Sequence, residues 1–379
     1  MQKKIAILGS SGSIGTSTLQ VVRHLPEQFQ VVALAVRSNI ELLERQIQEF
    51  SPEFVAVFDE QKAIELQKKC PHVPVLAGRE GLRAAASSSS VDFVMLAMSG
   101  TDGLEPALAA IEAKKQIGLA NKEILVAAGE MISQEAKEKG VSLLPVDSEH
   151  SALFQCLKGE RNSQVRRLIL TASGGPFRNK RTEELETVSR QEALIHPNWK
   201  MGAKITVDCS TLLNKGLEMI EARWLFDIAP EQIEVIIHPQ SVIHSLVEYI
   251  DGSILAQLSE PNMVLPIQYA MTYPDRSPGM LPPFDFKKFS SLTFEAPDLK
   301  KFVCLQLALD ALKEGKSYPC FLNGAAEVLV ERFLAGNISW IEIGRKLEKL
   351  MSSHRPSNML TLDSILSMNC YAKELARQA

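Results

Sequence analysis

Short apolar stretches alternate with helix-like stretches over the first 147 residues of the chain. Between the apolar stretches, apolar residues recur at helical spacing, as at Ile40, Leu43 and Ile47. This alternation predicts a parallel β-sheet covered by helices, because parallel strands need long crossover connections. We expect the low-complexity segment at residues 84–90 to be a solvated connector. The predicted strands are residues 4–8, 30–36, 54–58, 91–98, 116–120 and 141–146.

The pattern changes after residue 147. Strand-like segments then alternate with long polar ones, which predicts an α+β domain with strands at residues 167–171, 233–237, 246–250 and 254–258. Five prolines within residues 273–298 predict an extended linker, and helical periodicity follows at 304–313, 324–334, 339–351 and 361–377. The predicted divisions are an α/β domain at 1–147, an α+β domain at 148–272, the linker at 273–298 and a helical bundle at 299–379.

Composition narrows the class of protein. The 379 residues are 45% hydrophobic and 23% charged, which predicts a globular chain of two or three domains. A net charge of −4 provides no broad positive field for nucleic acid or an anionic membrane, whereas small phosphorylated ligands can bind at local sites. The six cysteines show no paired spacing, and no window resembles a membrane span. We therefore expect a soluble, cytoplasmic protein.

A glycine-rich segment, Gly9-Ser10-Ser11-Gly12-Ser13-Ile14-Gly15, lies between the first predicted strand and a helix predicted to begin at Thr16. This order of elements is typical of a Rossmann-like dinucleotide site, although a simple tight turn is the alternative. The second strand ends in Arg37, Ser38 and Asn39 with no acid, which favours NADPH over NADH. Arg37 is otherwise a solvated surface charge.

Two carboxylates follow the sixth predicted strand. If residues 141–146 form a strand, Asp147 and Glu149 point the same way and repel each other unless a cation lies between them. The pattern therefore indicates a divalent metal site. In the alternative interpretation, Asp147 caps a helix at residues 151–157 and Glu149 lies in its solvated first turn.

Five more segments are unusually rich in polar groups: residues 119–123, 172–178, 196–199, 207–218 and 237–245. The acidic segment and the last four of these contain, in order, the motifs VDSEH, ASGGPFR, HPNW, NKGLE and HPQSVIHS. Together these motifs resemble the 1-deoxy-D-xylulose 5-phosphate reductoisomerase family, nearly from end to end of the chain. The resemblance implies a homodimer that uses NADPH and a divalent cation (Mg²⁺, Mn²⁺ or Co²⁺). It also implies the rearrangement and reduction of 1-deoxy-D-xylulose 5-phosphate to 2-C-methyl-D-erythritol 4-phosphate, in the non-mevalonate isoprenoid pathway.

The resemblance also implies roles for individual residues. The implied metal ligands are Asp147, Glu149 and Glu218. The implied catalytic residues are Lys122, Glu149, His150, His196 and His244. The implied substrate contacts are Ser148, Ser173, His196, Trp199, Cys209, Asn214, Lys215 and Ser241. The implied cofactor contacts are Gly9, Ser10, Ser11, Gly12, Ser13, Ile14, Arg37, Ser38, Asn39, Asn121, Lys122, Glu123, Gly202 and Met263.

Several of these residues also have an ordinary structural interpretation. Glu218 can lie on a solvated helix face, residues 214–216 can form a polar turn, and Trp199 can belong to the core. The sequence does not decide whether His238 has a structural or a functional role. Two positions depart from the family pattern: Cys209 stands where serine is usual, with Ser210 as a possible substitute donor, and Arg37 replaces a common glycine.

The sequence is also compatible with two other functions. One is an NADP-dependent dehydrogenase that acts on another phosphorylated sugar without skeletal rearrangement. The other is a regulator that senses NADPH without catalysing a reaction, although the density of carboxylates and histidines speaks against it.

Overall fold

The computed structural model describes residues 2–359 and 361–379. The chain forms two compact units, each assembled from separate stretches of sequence. Unit 1 comprises the chain up to Ile124 together with Ile132–Ser151 and Met263–Pro282. Unit 2 comprises Leu125–Met131, Ala152–Asn262 and Pro283–Ala379.

Unit 1 is built on a seven-stranded parallel sheet in the order β4-β3-β2-β1-β5-β6-β7. Most of its central strand residues are buried, as expected for a parallel sheet between layers of helices. The strands are β1 (Lys3–Leu8), β2 (Phe29–Val36), β3 (Phe54–Val57), β4 (Val75–Ala77), β5 (Phe93–Leu96), β6 (Gln116–Leu119) and β7 (Leu143–Pro145). The helices are α1 (Ser13–His24), α2 (Ile40–Phe50), α3 (Glu60–Lys69), α4 (Gly78–Ser87), α5 (Leu104–Glu112), both ends of α6 (Lys122–Lys139), the start of α7 (Ser148–Cys156) and α11 (Val264–Thr272).

The predicted parallel sheet is confirmed, with differences in detail. Strand β4 was missed because it has only three residues and follows Pro74. The predicted connector at residues 84–90 is wrong over its first half: α4 extends to Ser87, and Ala85 and Ala86 are fully buried. Helix α1 begins at Ser13, three residues before the predicted start, so the last residues of the glycine segment form its first turn.

Unit 2 contains a four-stranded sheet in the order β11-β10-β8-β9, in which only β8 and β9 are parallel. Its core joins one face of this sheet to helices from the carboxyl-terminal third of the chain. The strands are β8 (Val165–Ala172), β9 (Ile233–Ile237), β10 (Ile243–Tyr249) and β11 (Ile254–Leu258). The helices are α8 (Arg190–Ala193), α9 (Ala203–Ser210), α10 (Leu213–Phe226), α12 (Val303–Glu314), α13 (Tyr318–Leu334), α14 (Trp340–Ser353) and α15 (Leu362–Gln378).

The strands and the four carboxyl-terminal helices of unit 2 agree with the sequence, except that α13 begins six residues earlier than predicted. Helices α9 and α10 were not predicted. The proline-rich segment has no helix or named strand among its residues 273–298, as expected of a linker. The four-part domain division stays a prediction. Among the described residues, no helix is both long enough and apolar enough to cross a membrane.

Candidate functional site

The glycine segment of unit 1 forms a tight loop between β1 and α1. Gly9 has a φ of 96°, and a Cβ there would lie 2.4 Å from the carbonyl oxygen of Ala97. A Cβ at Gly15 would lie 2.2 Å from the carbonyl oxygen of Gly9. These two positions therefore require glycine. The loop leads into the amino end of α1, where the first backbone N–H groups have no partner within the helix and favour an anion.

The side chain of Ser10 faces the interior of unit 1. Its hydroxyl donates to Gln46 Oε1 at 2.7 Å, and Gln46 Nε2 donates back to the Ser10 carbonyl at 3.0 Å. Both side chains are buried. Ser10 therefore fixes the loop from beneath, while Ser11, Gly12, Ser13 and Ile14 retain some exposure. Gln46 was not anticipated, since a glutamine in an amphipathic helix normally faces water.

The end of β2 places Arg37 in solvent. Its guanidinium lies 3.4 Å from Asp102 Oδ2 and 5.6 Å from the centre of the Phe58 ring, and its side chain is 75% exposed. Ser38 is exposed, and Asn39 caps α2 by accepting from the N–H of Leu42 at 3.2 Å. Arg37 thus remains available to an anionic ligand.

The amino end of α6 carries two buried polar residues. Asn121 donates to the carbonyl oxygen of Gly100 at 2.8 Å, while its Oδ1 is buried without a hydrogen-bond partner among the described residues. The Lys122 ammonium lies 2.5 Å from Asp147 Oδ2, with only 8% of its side chain exposed. Glu123 follows, half-buried in the first turn.

The motif that contains Asp147 bridges the end of β7 and the first turn of α7. The N–H of Ser148 donates to Asp147 Oδ1 at 2.9 Å, and the Ser148 hydroxyl donates to Glu149 Oε2 at 2.5 Å. The predicted alternation is wrong here, because β7 ends at Pro145 and Glu149 lies in a helix that begins at Ser148. The two carboxylates are half-buried beside Ser148, and His150 is fully buried.

In unit 2, α10 buries a group of polar side chains that the sequence did not identify as helical. Asn214 and Lys215 both donate to the carboxylate of Glu218, which is 1% exposed. The solvated-face alternative for Glu218 and the polar-turn alternative for residues 214–216 are therefore wrong. Glu221 is fully buried one turn later, and sequence analysis missed it. Its spacing of three residues from Glu218 was the available signal.

His196 is held in one protonation state by its neighbours. The backbone N–H groups of Asn198 and Trp199 both donate to Nδ1, at 3.2 and 3.0 Å. Nε2 therefore carries the proton and donates to the Ser173 hydroxyl oxygen at 3.0 Å. Burial, and secondarily the charge of Lys215, lowers the pKa of His196 to about 4, so the ring is neutral at physiological pH.

The residues around His196 and β10 contact one another. Asn198 Nδ2 donates to the Ser241 hydroxyl at 2.8 Å and to the carbonyl oxygen of Pro239 at 2.6 Å. The Trp199 ring centre lies 6.2 Å from that of His244 in an edge-on arrangement, and His244 Nε2 lies 2.8 Å from the Ser259 hydroxyl. Trp199 is half-buried, so it is not an ordinary core residue.

The predicted compensation for Cys209 is wrong. The Ser210 hydroxyl donates to the carbonyl oxygen of Val207 at 2.7 Å and accepts from Trp340 Nε1 at 2.8 Å, and Ser210 is fully buried. Cys209 itself is half-buried in α9. Gly202 precedes α9 in unit 2, and Met263 precedes α11 in unit 1.

Comparison with known proteins gives one consistent family. The family model described as 1-deoxy-D-xylulose 5-phosphate reductoisomerase matches residues 5–129. Two models described as the carboxyl-terminal domains of this reductoisomerase match residues 143–226 and 258–375. The second segment contains the motifs VDSEH, ASGGPFR, HPNW and NKGLE, whereas HPQSVIHS, at residues 238–245, lies between the second and the third.

Individual relatives carry the same description. The 1-deoxy-D-xylulose 5-phosphate reductoisomerase of Protochlamydia amoebophila is 59% identical over 377 residues, covering 100% of this chain and 98% of its own. That of Chlamydia muridarum is 50% identical, covering 99% of this chain and 100% of its own.

Solved structures give the same result. A crystal structure of DOX-P reductoisomerase in complex with NADPH, fosmidomycin and magnesium has a TM-score of 0.94 at 41% identity, covering 99% of this chain and 98% of its own. The Zymomonas mobilis enzyme in complex with NADPH has a TM-score of 0.94 at 38% identity, covering 100% of this chain and 99% of its own. The family predicted from the motifs is confirmed: the chain belongs to the 1-deoxy-D-xylulose 5-phosphate reductoisomerases.

Proposed function

We propose that this protein rearranges 1-deoxy-D-xylulose 5-phosphate and reduces the product to 2-C-methyl-D-erythritol 4-phosphate, for isoprenoid synthesis by the non-mevalonate pathway. The observation that carries the proposal is the full-length match to relatives described by that activity, at up to 59% identity. The two units supply what the reaction needs, a nucleotide-binding loop in one and a cluster of phosphate-binding groups in the other. A dehydrogenase acting on another sugar phosphate is not favoured by any of these relatives.

The residues of unit 1 fit NADPH. Gly9 and Gly15 leave no room for a Cβ, as required where backbone packs closely beside a pyrophosphate. The exposed guanidinium of Arg37 suits the 2′-phosphate of the cofactor, with Ser38 and Asn39 beside it. The buried Asn121 Oδ1 offers an acceptor to the nicotinamide half, near Lys122 and Glu123. When bound, NADPH supplies the hydride.

The carboxylates fit a hard divalent cation. We assign Asp147, Glu149 and Glu218 as its ligands, because oxygen-only ligation suits Mg²⁺, Mn²⁺ and Co²⁺. When bound, the cation serves as a Lewis acid towards substrate oxygens. Lys122 and Ser148 already contact Asp147 and Glu149, so they orient the carboxylates and are placed to bind substrate hydroxyls.

The phosphate of the sugar is assigned to unit 2. Ser173 already accepts hydrogen bonds from His196 Nε2 and from the N–H of Gly175 at 3.2 Å, which directs its own proton outwards to a phosphate oxygen. Asn214, Lys215 and Ser241 add amide, ammonium and hydroxyl donors. Cys209 contributes a weaker donor. The bound phosphate, remote from the reacting carbons, supplies binding energy to position the substrate.

Three histidines complete the assignment. Neutral His196 donates from Nε2. The buried side chains of His150 and His244 are assigned to hydrogen bonding or proton transfer with substrate oxygens. Trp199, on the same loop as His196, is assigned as a cover that excludes water from the nicotinamide. Gly202 and Met263 are assigned to the cofactor site.

We also propose that the protein is a homodimer in the cytoplasm. Strand β11 ends its sheet, and Ile254 and Leu255 on it are 51% and 45% exposed. An exposed apolar edge strand is a liability in a monomer and is removed by pairing with a second copy. Replacing Leu255 with lysine should shift the mass measured by light scattering from dimer to monomer, and a monomeric wild-type protein would contradict this assignment.

The test of the activity follows NADPH absorbance with 1-deoxy-D-xylulose 5-phosphate, before and after chelation of divalent ions. We expect NADPH consumption that stops on chelation and returns with Mg²⁺, and a branched tetritol phosphate as product. A straight-chain polyol phosphate would instead identify the rival dehydrogenase, and absence of consumption with every added metal would favour an NADPH-binding regulator.

A further inference from the structure

The proline-rich linker is paired at one residue with the edge strand β9 of the sheet of unit 2. We call residues 293–295 the bridging segment. Glu295 pairs with Ile237 at the end of β9 through two backbone hydrogen bonds, each 2.9 Å long. The linker is therefore attached to the sheet immediately before the loop that carries His238 and Ser241.

The bridging segment contacts the loop that carries Ser173. The guanidinium of Arg178 donates to the carboxylate of Glu295. The Arg178 side chain lies over the turn next to Ser173, since a Cβ at Gly174 would be 2.5 Å from Arg178 Cδ. Just beyond the linker, the Lys301 ammonium donates to the carbonyl oxygen of Arg178 at 2.8 Å.

His238 connects the bridging segment to the second phosphate-binding loop. Its Nδ1 lies 3.0 Å from the carbonyl oxygen of Thr293, an acceptor, so Nδ1 carries the proton. Its backbone N–H donates to the carbonyl oxygen of Ala172 at 2.7 Å, directly before Ser173, and its own carbonyl oxygen accepts from the N–H of Ser241 at 3.0 Å. The fully buried ring stacks on Phe294, with centres 5.0 Å apart.

We infer that the bridging segment fixes the relative position of Ser173 and Ser241 through Arg178 and His238, and that His238 is a positioning residue for the substrate phosphate. Backbone hydrogen bonds from His238 reach both loops, and its side chain is hydrogen-bonded to Thr293 of the linker. Ser241 has a φ of 53°, a conformation that a non-glycine residue adopts only when its surroundings hold it there. This inference rests on the proposed function, in which both serines bind the phosphate.

The test compares His238→Ala with His238→Asn, because the asparagine amide can still donate to the carbonyl of Thr293. For His238→Ala we expect the KM for 1-deoxy-D-xylulose 5-phosphate to rise about tenfold, the effect of one lost hydrogen bond and its ordering. The kcat should stay within about twofold, the KM for NADPH should not change, and His238→Asn should recover most of the loss.

A second pair of variants tests the linker itself. Glu295→Gln removes the charge that holds Arg178, whereas Lys288→Gln removes a linker ion pair with Glu260 (2.9 Å) that involves neither Arg178 nor His238. We expect a raised KM for the sugar phosphate only with Glu295→Gln. An unchanged KM in His238→Ala and Glu295→Gln, or equal effects on sugar and NADPH, would overturn the inference. Inactive wild-type enzyme would instead count against the proposed function.

Discussion

The glycine loop of unit 1 and the serine–histidine cluster of unit 2 are both assigned to phosphate groups, but they would bind them by different physical means. The cluster consists of Ser173, His196, Asn214, Lys215 and Ser241. The loop works by the absence of side chains, since a Cβ at Gly9 or Gly15 would overlap backbone atoms. The cluster works by hydrogen bonds between side chains, with Ser173 oriented by a neutral His196 and Lys215 paired with Glu218. The glycine loop therefore depends on the room left by missing side chains, whereas the cluster depends on the protonation states and hydrogen-bond partners of its side chains.

The difference teaches where each site is vulnerable. A loop shaped by backbone tolerates changes of charge nearby but no added atom. A network of side chains tolerates small changes of shape but loses its function when one partner cannot donate or accept. Variants of the two units should therefore fail in different assays.

The largest expected effect is a loss of turnover when a carboxylate assigned to the cation is changed, while NADPH binding at the glycine loop stays intact. Glu149→Gln keeps the shape of the side chain but removes a charge assigned to the cation, so turnover should fall about a thousandfold or more. The dissociation constant for NADPH should remain nearly unchanged. Glu138→Gln, on the exposed face of α6, is the control. Retained turnover in Glu149→Gln would refute its role as a ligand.

The converse result is expected for Gly15→Ala. The added Cβ forces the loop apart at about 1–3 kcal/mol, which should raise the dissociation constant for NADPH about ten- to a hundredfold and lower the melting temperature. Gly279→Ala is a matched control in unit 1, since no atom lies within 4 Å of the added Cβ. Fluorescence titration with NADPH measures the dissociation constant. Equal affinity in the two variants would show that the loop accommodates a Cβ at position 15.

A pH series tests the protonation state on which the unit 2 cluster depends. The pKa of His196 is lowered to about 4 in the folded protein, so its contribution to stability is complete above about pH 6.5 and is lost as the pH falls towards 4. The free energy of unfolding of the wild type should therefore decrease on the order of 2 kcal/mol more across this range than that of His196→Gln. Parallel curves from denaturant titrations would show that His196 titrates normally.

The smallest effect concerns the thiol in α9. Cys209→Ser replaces a weak donor with a hydroxyl and should lower the KM for the sugar phosphate about threefold, with the KM for NADPH unchanged. Cys370→Ser, at an exposed position on α15, is the control. Because Ser210 is occupied by Trp340 and Val207, an unchanged KM would mean that no donor is needed at this position.

The same comparison explains what could be predicted from the sequence. The β1 strand, the glycine loop and α1 follow from local signals, because buried apolar runs and glycine spacing are set within about twenty residues. The unit 2 cluster does not, because Asn214, Lys215 and Glu218 are buried in a helix by pairing with one another, against their usual preference for solvent. Their importance was recognised through the resemblance to the family, and their burial only through the structure.

Two errors have equally specific causes. Strand periodicity predicts that Glu149 points the same way as Asp147, but β7 ends at Pro145 and α7 begins at Ser148, so Glu149 lies in a helix. The low-complexity run of serine and alanine predicts a solvated connector at residues 84–90, which is wrong for residues 84–87. In the structure, the small side chains of Ala85 and Ala86 allow α4 to pack closely against the sheet.

Helix α11 closes unit 1 although it is synthesised more than a hundred residues after the sheet. It packs against α1, β6 and β7, buries Ile267 and Met271 completely, and accepts at its Met271 carbonyl from the Lys3 ammonium at 2.7 Å. During translation, the apolar surface of the sheet that α11 covers therefore stays exposed to solvent until α11 leaves the ribosome. A truncated fragment ending at residue 147 should aggregate for the same reason, so the nucleotide-binding region cannot be excised for study by cutting the chain once.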